Sequence, residues 1–202
     1  PFREVKMRTL SLLAVLFISA GIVSSQPSTI QQYLNIKSAG SPSLSPDGKR
    51  MAYLTNATGT TQVWMIDFPN GTPKQLTNYE DNISFVRWLP DNGGIIFGKA
   101  RGGDENTQFY WMTTDGTGVR ALTEEPKVRR NFAEISKDGK KIYYASNKRN
   151  RTFFDVYSMD VATGKEVLLY QYDGNINIAA VNDAGTKFVL SRDGIEKSLD
   201  ND

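Results

Sequence analysis

The apolar positions of this chain fall into short clusters bounded by turn residues, with one exception near the start. From Leu10 to Val23 the chain is apolar apart from small Ser and Gly residues. That run is shorter than the roughly 20 residues needed to cross a bilayer. It fits the apolar region of a secretory signal, with Arg8 in front and Val23-Ser24-Ser25 as small residues ahead of Gln26. A signal peptide over residues 1–25 is therefore expected, with Met7 as the true start and no stable membrane span once it is cleaved. An uncleaved anchor is the other reading. Further on, clusters such as Ile142-Tyr143-Tyr144-Ala145 are apolar at consecutive positions. Consecutive apolar side chains point to opposite faces of a strand, so such a strand needs cover on both faces. One short helix is expected from Ser28, a capping residue with Gln31 at the capping-box position, through Leu34. Everything after it reads as strands and turns.

These strands and turns repeat. Leu44-Ser45-Pro46-Asp47-Gly48-Lys49-Arg50-Met51 returns as Trp88-Leu89-Pro90-Asp91-Asn92-Gly93-Gly94-Ile95, then as Ile135-Ser136-Lys137-Asp138-Gly139-Lys140-Lys141-Ile142. A fainter copy is Val181-Asn182-Asp183-Ala184-Gly185-Thr186-Lys187-Phe188. Gln62-Val63-Trp64, Gln108-Phe109-Tyr110 and Asp155-Val156-Tyr157 keep the same register. So do the closing triplets Gln75-Leu76-Thr77, Ala121-Leu122-Thr123 and Val167-Leu168-Leu169. A period in the forties built from short strands predicts four-stranded β-propeller blades. In Ser45-Pro46-Asp47-Gly48 the proline presets one turn position and the glycine accepts the positive φ that follows. The expected fold is all-β: residues 26–40 lead in, and 41–202 form an incomplete propeller of about three and a half antiparallel blades. The blades fall at about 41–78, 83–124, 131–170 and 175–202, the last partial. A half-blade exposes an apolar face, and each uncovered Trp or Tyr forfeits roughly 1.5 to 3 kcal/mol. The native protein is thus expected to continue past Asp202.

Composition removes several functions. Of 202 residues 39% are hydrophobic, enough for a core. The net charge of +2 comes from Arg3, Lys6 and Arg8 against Glu4, which leaves a neutral body. Without a basic stripe, nucleic acid is not an expected partner. There is no Cys, so no disulfide, thiolate metal site or lipid-modified cysteine exists. There is no His, which removes the usual general base, the commonest metal ligand and any Ser-His-Asp relay. No catalytic, cofactor-binding or metal-binding residue is expected, although carboxylates alone can in principle catalyse.

The blades resemble the TolB-like type, whose signature is a Ser-Pro-Asp-Gly-Lys turn, an apolar strand, an aromatic strand and a closing Leu-Thr. That resemblance runs from Ser41 to about Ser191. Arg101-Gly102-Gly103-Asp104-Glu105-Asn106-Thr107-Gln108-Phe109-Tyr110 is similar to a hairpin in propellers of prolyl oligopeptidase-family serine peptidases. Ser146-Asn147-Lys148-Arg149-Asn150 with Phe154-Asp155-Val156-Tyr157 is similar to a later blade of that group, and Ile30 to Ile36 to its lead-in. The resemblance implies a propeller that restricts peptide access to a downstream α/β-hydrolase domain carrying Ser, Asp and His. This chain has no Gly-x-Ser-x-Gly and no His, so no triad residue carries over. The expected function is the non-catalytic, substrate-gating part of an exported peptidase, periplasmic or extracellular, with peptides and the hydrolase domain as partners and no cofactor. The alternative is a TolB-like periplasmic propeller that binds a protein or ligand. A propeller lyase or lactonase with a channel metal is a third class, weakened by the missing His.

Several motifs have two readings. Gly102-Gly103-Asp104-Glu105 imitates a cyclic-dinucleotide synthase signature but lies in a β-hairpin, where a turn is expected. Glu124-Glu125 resembles the paired glutamates that hold a substrate amine in dipeptidyl peptidases; a solvated inter-blade loop is the expected reading. Lys127, Arg129 and Arg130, with Lys148, Arg149 and Arg151, are expected to be solvated loop tips rather than contacts to a carboxylate or a neighbouring domain. Asp47, Asp91 and Asp138 share one turn position and are expected to serve the turn. Asn56, Asn70, Asn82 and Asn150 fit the glycosylation pattern.

Overall fold

The computed structural model describes Ile30 and residues 35–192. The expected signal peptide and the tail after Arg192 lie outside the described residues, as does the expected Ser28–Leu34 helix apart from Ile30, which is helical. The chain divides into a unit of residues 1–36 and a unit that begins at Lys37; all the strands belong to the second.

Fourteen strands are present among the described residues, in four antiparallel meanders. Blade 1 holds β1 (Ala39–Leu44), β2 (Arg50–Thr55), β3 (Gln62–Asp67) and β4 (Lys74–Gln75). Blade 2 holds β5 (Ile83–Trp88), β6 (Ile95–Lys99), β7 (Gln108–Met112) and β8 (Val119–Ala121). Blade 3 holds β9 (Arg130–Ile135), β10 (Lys141–Ser146), β11 (Asp155–Asp160) and β12 (Glu166–Tyr170). Two strands, β13 (Ile176–Val181) and β14 (Phe188–Arg192), form the half of a fourth. The chain is a partial β-propeller; β1 begins at Ala39, inside the stretch expected as the lead-in, and β9 at Arg130.

The turns between the first and second strands of the three full blades are closed by their own side chains. Asp47 accepts hydrogen bonds from the Ser45 hydroxyl at 2.6 Å and the Lys49 N–H at 3.0 Å. Asp138 repeats this with Ser136 at 2.7 Å and Lys140 at 3.1 Å. The serine hydroxyl first, then the backbone N–H, hold both carboxyls below the usual aspartate value. In blade 2, Leu89 replaces the serine, and Asp91 accepts only the Gly93 N–H at 2.8 Å. Their shared position serves the turn.

The consecutive apolar positions fill two cores. Ile95 and Phe97 of β6 face Ala52, Leu54, Val63 and Met65 of blade 1. Ile96, between them, faces Ile142, Tyr144 and Met159 of blade 3. Because neighbouring side chains point to opposite sheet faces, one apolar strand serves both joints.

The first residue of every third strand is polar and buried: Gln62, Gln108 and Asp155, at 1%, 7% and 0% exposure. Each ties its blade to the linker that enters the next. Gln62 Oε1 accepts the Tyr79 N–H at 3.0 Å and the Thr77 hydroxyl at 2.9 Å, while its Nε2 donates to the Tyr79 carbonyl at 2.9 Å. Gln108 Oε1 accepts the Glu125 N–H at 3.1 Å, and Nε2 donates to the carbonyls of Glu125 and Val128. Asp155 accepts the Tyr172 N–H at 2.9 Å and the Arg149 guanidinium at 2.7 and 3.0 Å. The closing threonines complete the latch, since Thr77 and Thr123 accept the N–H of Val63 and Phe109 at 2.9 Å. Gln62→Ala removes the partner of several buried groups, each costly to leave unpaired. A loss of about 3 kcal/mol is expected in chemical denaturation, with Gln62→Leu no better despite its similar volume.

Candidate functional site

Strand direction sorts the connections to two ends of the blades. The β1–β2 and β3–β4 turns and their counterparts share one end. At the other lie the β2–β3, β6–β7 and β10–β11 loops and the inter-blade linkers. Two cavities flank the β6–β7 loop at this linker end, of ≈ 270 and ≈ 460 Å³. Lys99, Arg101, Tyr110 and Glu124 line the smaller; Glu80, Asp81, Asn82 and Ser84 line the larger; Asp104 borders both.

Lys99 lines the smaller cavity and is held by its neighbours. Its ammonium pairs with Asp81 at 3.3 Å and lies 5.2 and 5.8 Å from the ring centroids of Tyr79 and Tyr110. Burial pushes both tyrosine hydroxyls above their usual pKa, so they remain neutral donors. The Gly102-Gly103-Asp104-Glu105 segment is the loop tip. Gly102 and Gly103 both take positive φ, its N–H at Gly102 binds Asp81 at 2.7 Å, and Asp104 accepts the Asn106 N–H at 2.9 Å. That N–H first among its causes, Asp104 is held below the usual aspartate value. The motif is a turn.

The glutamate pair divides. Glu124 is exposed and borders the smaller cavity. Glu125 turns the other way, into ion pairs with Arg130 and, at 3.1 Å, Lys148. Of the basic residues expected at solvated loop tips, Arg130 departs, and Lys148 and Arg149, though exposed, are held in ion pairs. The Arg130 side chain is fully buried and pairs with Glu125 and, at 3.5 Å, Glu166, while its Nη1 donates to Gln108 Oε1 at 3.0 Å. Lys148 bridges Glu125 and Glu166. Arg149 is clamped by Asp155 and by Asp173 at 2.9 Å. The correction has a physical cause: Arg130 opens β9 at its buried end, where Glu125, Glu166 and Gln108 close over it, so its charge is countered inside the joint. Arg129 remains at the surface in a pair with Glu105, and Lys127 and Arg151 are exposed. Among the glycosylation-pattern residues, Asn82 and Asn150 use their side-chain oxygens to bind the N–H of Thr61 and Thr152.

Glu166 and Tyr144 complete this cluster and were not singled out by sequence. The Tyr144 hydroxyl donates to Glu166 at 2.6 Å. Burial, then the carboxylate, drive that hydroxyl's pKa far up. For Glu166 burial alone acts upward, but Lys148, Tyr144 and Arg130 outweigh it and hold the carboxyl below 4.5. The only signal in the sequence was positional: Arg130 stands where the other blades have Ile83 and Ile176. The lining side chains offer charges and hydrogen bonds to a polar guest. Among the described residues, no group of three or more His, Cys, Asp or Glu is placed to hold a metal ion, and no helix is long and apolar enough to cross a membrane.

Comparison with known proteins matches this architecture. Residues 21–184 fit the family described as the TolB beta propeller domain. A dipeptidyl aminopeptidase, BIII, of Pseudoxanthomonas mexicana is 26% identical over 137 residues, covering 66% of this chain and 20% of that protein. An uncharacterized peptidase, YuxL, of Bacillus subtilis is 32% identical over 97 residues, 45% of this chain and 15% of that protein. The crystal structure of TolB from Acinetobacter baumannii superposes with a TM-score of 0.53 at 26% identity, covering 75% of this chain and 39% of that one. The chain thus spans a fifth or less of the length of these two curated relatives.

Two outcomes are expected of the ionic cluster. Arg130→Ala leaves Glu166 and Glu125 short of a buried counter-charge and costs about 3–5 kcal/mol in denaturant unfolding. A carboxyl held below its ordinary value stabilises the fold fully above that value, and the gain is lost as pH falls through the lower, folded one. Stability measured from about pH 5 to pH 3 therefore falls less steeply in Glu166→Gln than in the unaltered protein.

Proposed function

Because the chain belongs to the TolB beta propeller domain family, we propose that it is the propeller portion of an exported peptidase of the prolyl oligopeptidase type. In this reading the blades admit and orient peptides, and a hydrolase domain elsewhere in the same polypeptide cleaves them. The observation that carries it is the pairing of two peptidases among the relatives with a match confined to a fifth or less of their length. A propeller-sized segment is shared, and the chain's lack of His leaves nucleophilic chemistry to another part. The linker-end cavities support a polar, peptide-like guest. In the smaller one the neighbouring positive and negative charges, Lys99 and Arg101 against Asp104 and Glu124, suit a zwitterion or a peptide backbone better than a simple ion. In the same reading residues 1–25 act as an export signal, and the protein works in the periplasm or outside the cell.

The second reading is a TolB-like binding propeller without hydrolase activity. It is favoured by the 26% identity to TolB across three-quarters of this chain. The two readings part on one experiment: expression of the native coding region through its own stop codon, followed by assay on a short fluorogenic peptide and on a folded protein of the same sequence content. Cleavage of the short peptide alone, abolished by substituting the serine of a Gly-x-Ser-x-Gly found beyond Asp202, is the expected result. A product of blades only, inert toward both substrates, sinks the peptidase reading and leaves the binding module.

A further inference from the structure

The three inter-blade joints are not equally close. The inner strand β5 of blade 2 lies near β1, β2 and β3 of blade 1, and β13 lies near β9, β10 and β11 of blade 3. No strand of blade 2 comes comparably near β9. Large rings occupy the wider joint instead. Phe85 stacks on Phe132 at 4.4 Å, and Phe109 meets Phe132 and Tyr144 edge-on at 6.1 and 5.2 Å. The rings and the Arg130 cluster fill the middle and the linker end of this joint. At the turn end they do not.

The first joint shows what the equivalent space holds when it is closed. There a methyl group placed on Gly116, in the β7–β8 turn, would meet the Leu76 side chain at 3.2 Å, so that leucine fills the joint. A methyl on Gly164, in the β11–β12 turn, would meet only the Leu122 carbonyl at 3.6 Å. Beside it opens a cleft of ≈ 380 Å³. Buried Leu89 and Val161 and the half-buried indole of Trp111 form its apolar lining. Arg120 is fixed beside the indole: its guanidinium lies 5.7 Å from the ring centroid and donates to the Val161 carbonyl at 2.8 Å. The counterpart bond at the first joint, Lys74 to the Asp115 carbonyl at 3.2 Å, joins blades without an aromatic ring below it.

We propose that this cleft binds an aromatic side chain carried on a peptide. Its volume is at the small end of ligand sites, room for one large side chain and its adjoining backbone. An indole and a guanidinium already in contact present a π face and a planar cation, both of which favour another aromatic ring over an aliphatic chain. The rim carries Arg120 and Lys140 against Asp91 and Asp160. This balance favours neutral, dipolar peptide groups over a free anion or cation. The site lies at the turn end, opposite the linker-end cavities, and does not depend on the peptidase reading: its occupant is a peptide segment that presents one aromatic side chain.

The test uses N-acetyl-phenylalaninamide, N-acetyl-leucinamide and N-acetyl-alaninamide, titrated into the unaltered full chain. The readout is the Trp111 indole N–H resonance, identified by its loss in Trp111→Phe. Saturable shifts with the phenylalanine compound are expected in the millimolar range, as befits about fifteen non-hydrogen atoms, at least several-fold tighter than with the other two. Ala162→Phe, at an exposed rim position, fills the cleft from within and is expected to weaken binding about tenfold while leaving the circular dichroism unchanged. Arg120→Ala weakens it as well. Equal response to the phenylalanine and leucine compounds overturns the aromatic assignment. No saturable shift, or a shift that persists undiminished in Ala162→Phe, overturns the site.

Discussion

A propeller blade is held to the next by backbone groups that have no strand to pair with, and here one buried polar side chain per blade meets them. As the chain leaves each fourth strand it crosses to the inner strand of the following blade with its amides unpaired. Gln62, Gln108 and Asp155 stand where those amides pass, and each accepts the same one: the N–H of Tyr79, Glu125 or Tyr172. A buried amide left unpaired is expensive. The latch therefore fixes the linker path, and with it the position of the next inner strand. Replacing glutamine by aspartate in blade 3 changes what else the latch holds. A carboxylate has no N–H to give to linker carbonyls, so Asp155 takes Arg149 as its counter-ion instead.

Around this fixed frame, the joints are filled in different ways. The first is a continuous apolar core in which Ile83, Val86 and Phe97 pack on Val63 and Met65. The second holds Arg130 where the first holds Ile83, and the arginine draws in Glu125, Glu166, Lys148 and Tyr144. Buried ion pairs repay much of their own desolvation and seldom add net stability over apolar packing. That joint has an apolar core of its own around Ile96, Phe109, Tyr144 and Met159, with the charges at its linker end. It is also the joint with the wider spacing and the open cleft at its far end.

Exposure along the last strands follows from the same stacking logic. Leu122 closes blade 2 at 8% exposure beneath blade 3, whereas Leu168, on the closing strand of blade 3, is 43% exposed. Above Leu168 the described residues of the fourth blade provide only β13 and β14, and β13 lies near β9, β10 and β11. Val167, Leu169 and Tyr170 are similarly uncovered. The outer strand β12 thus presents an uncovered apolar row among the described residues.

Much of the fold was legible from order along the chain. Turn chemistry is local: Ser45, Asp47 and Gly48 close their hairpin using atoms within five residues, so the motif predicts its own geometry. The apolar doublets foretold cover on both faces, and the period in the forties foretold identical blades. The site residues were less legible because their meaning comes from distant partners. Arg130 read as one of a solvated basic trio, since nothing near it in sequence shows Gln108 and Glu166 closing over it. Glu124 and Glu125 are adjacent in sequence yet face different environments, one a cavity and one a buried arginine. The spacing of Gln62, Gln108 and Asp155 was visible, but their role as acceptors was not, because hydrogen bonding across seventeen residues appears only once the linker has folded back. By itself the sequence determined strands, turns and repeat, all set by local sterics and by the two-residue alternation of a strand. Tertiary structure alone decided which charges are buried, which joint is wide and where a cleft remains, because those depend on how unlike side chains fill the space between sheets that the repeat makes alike.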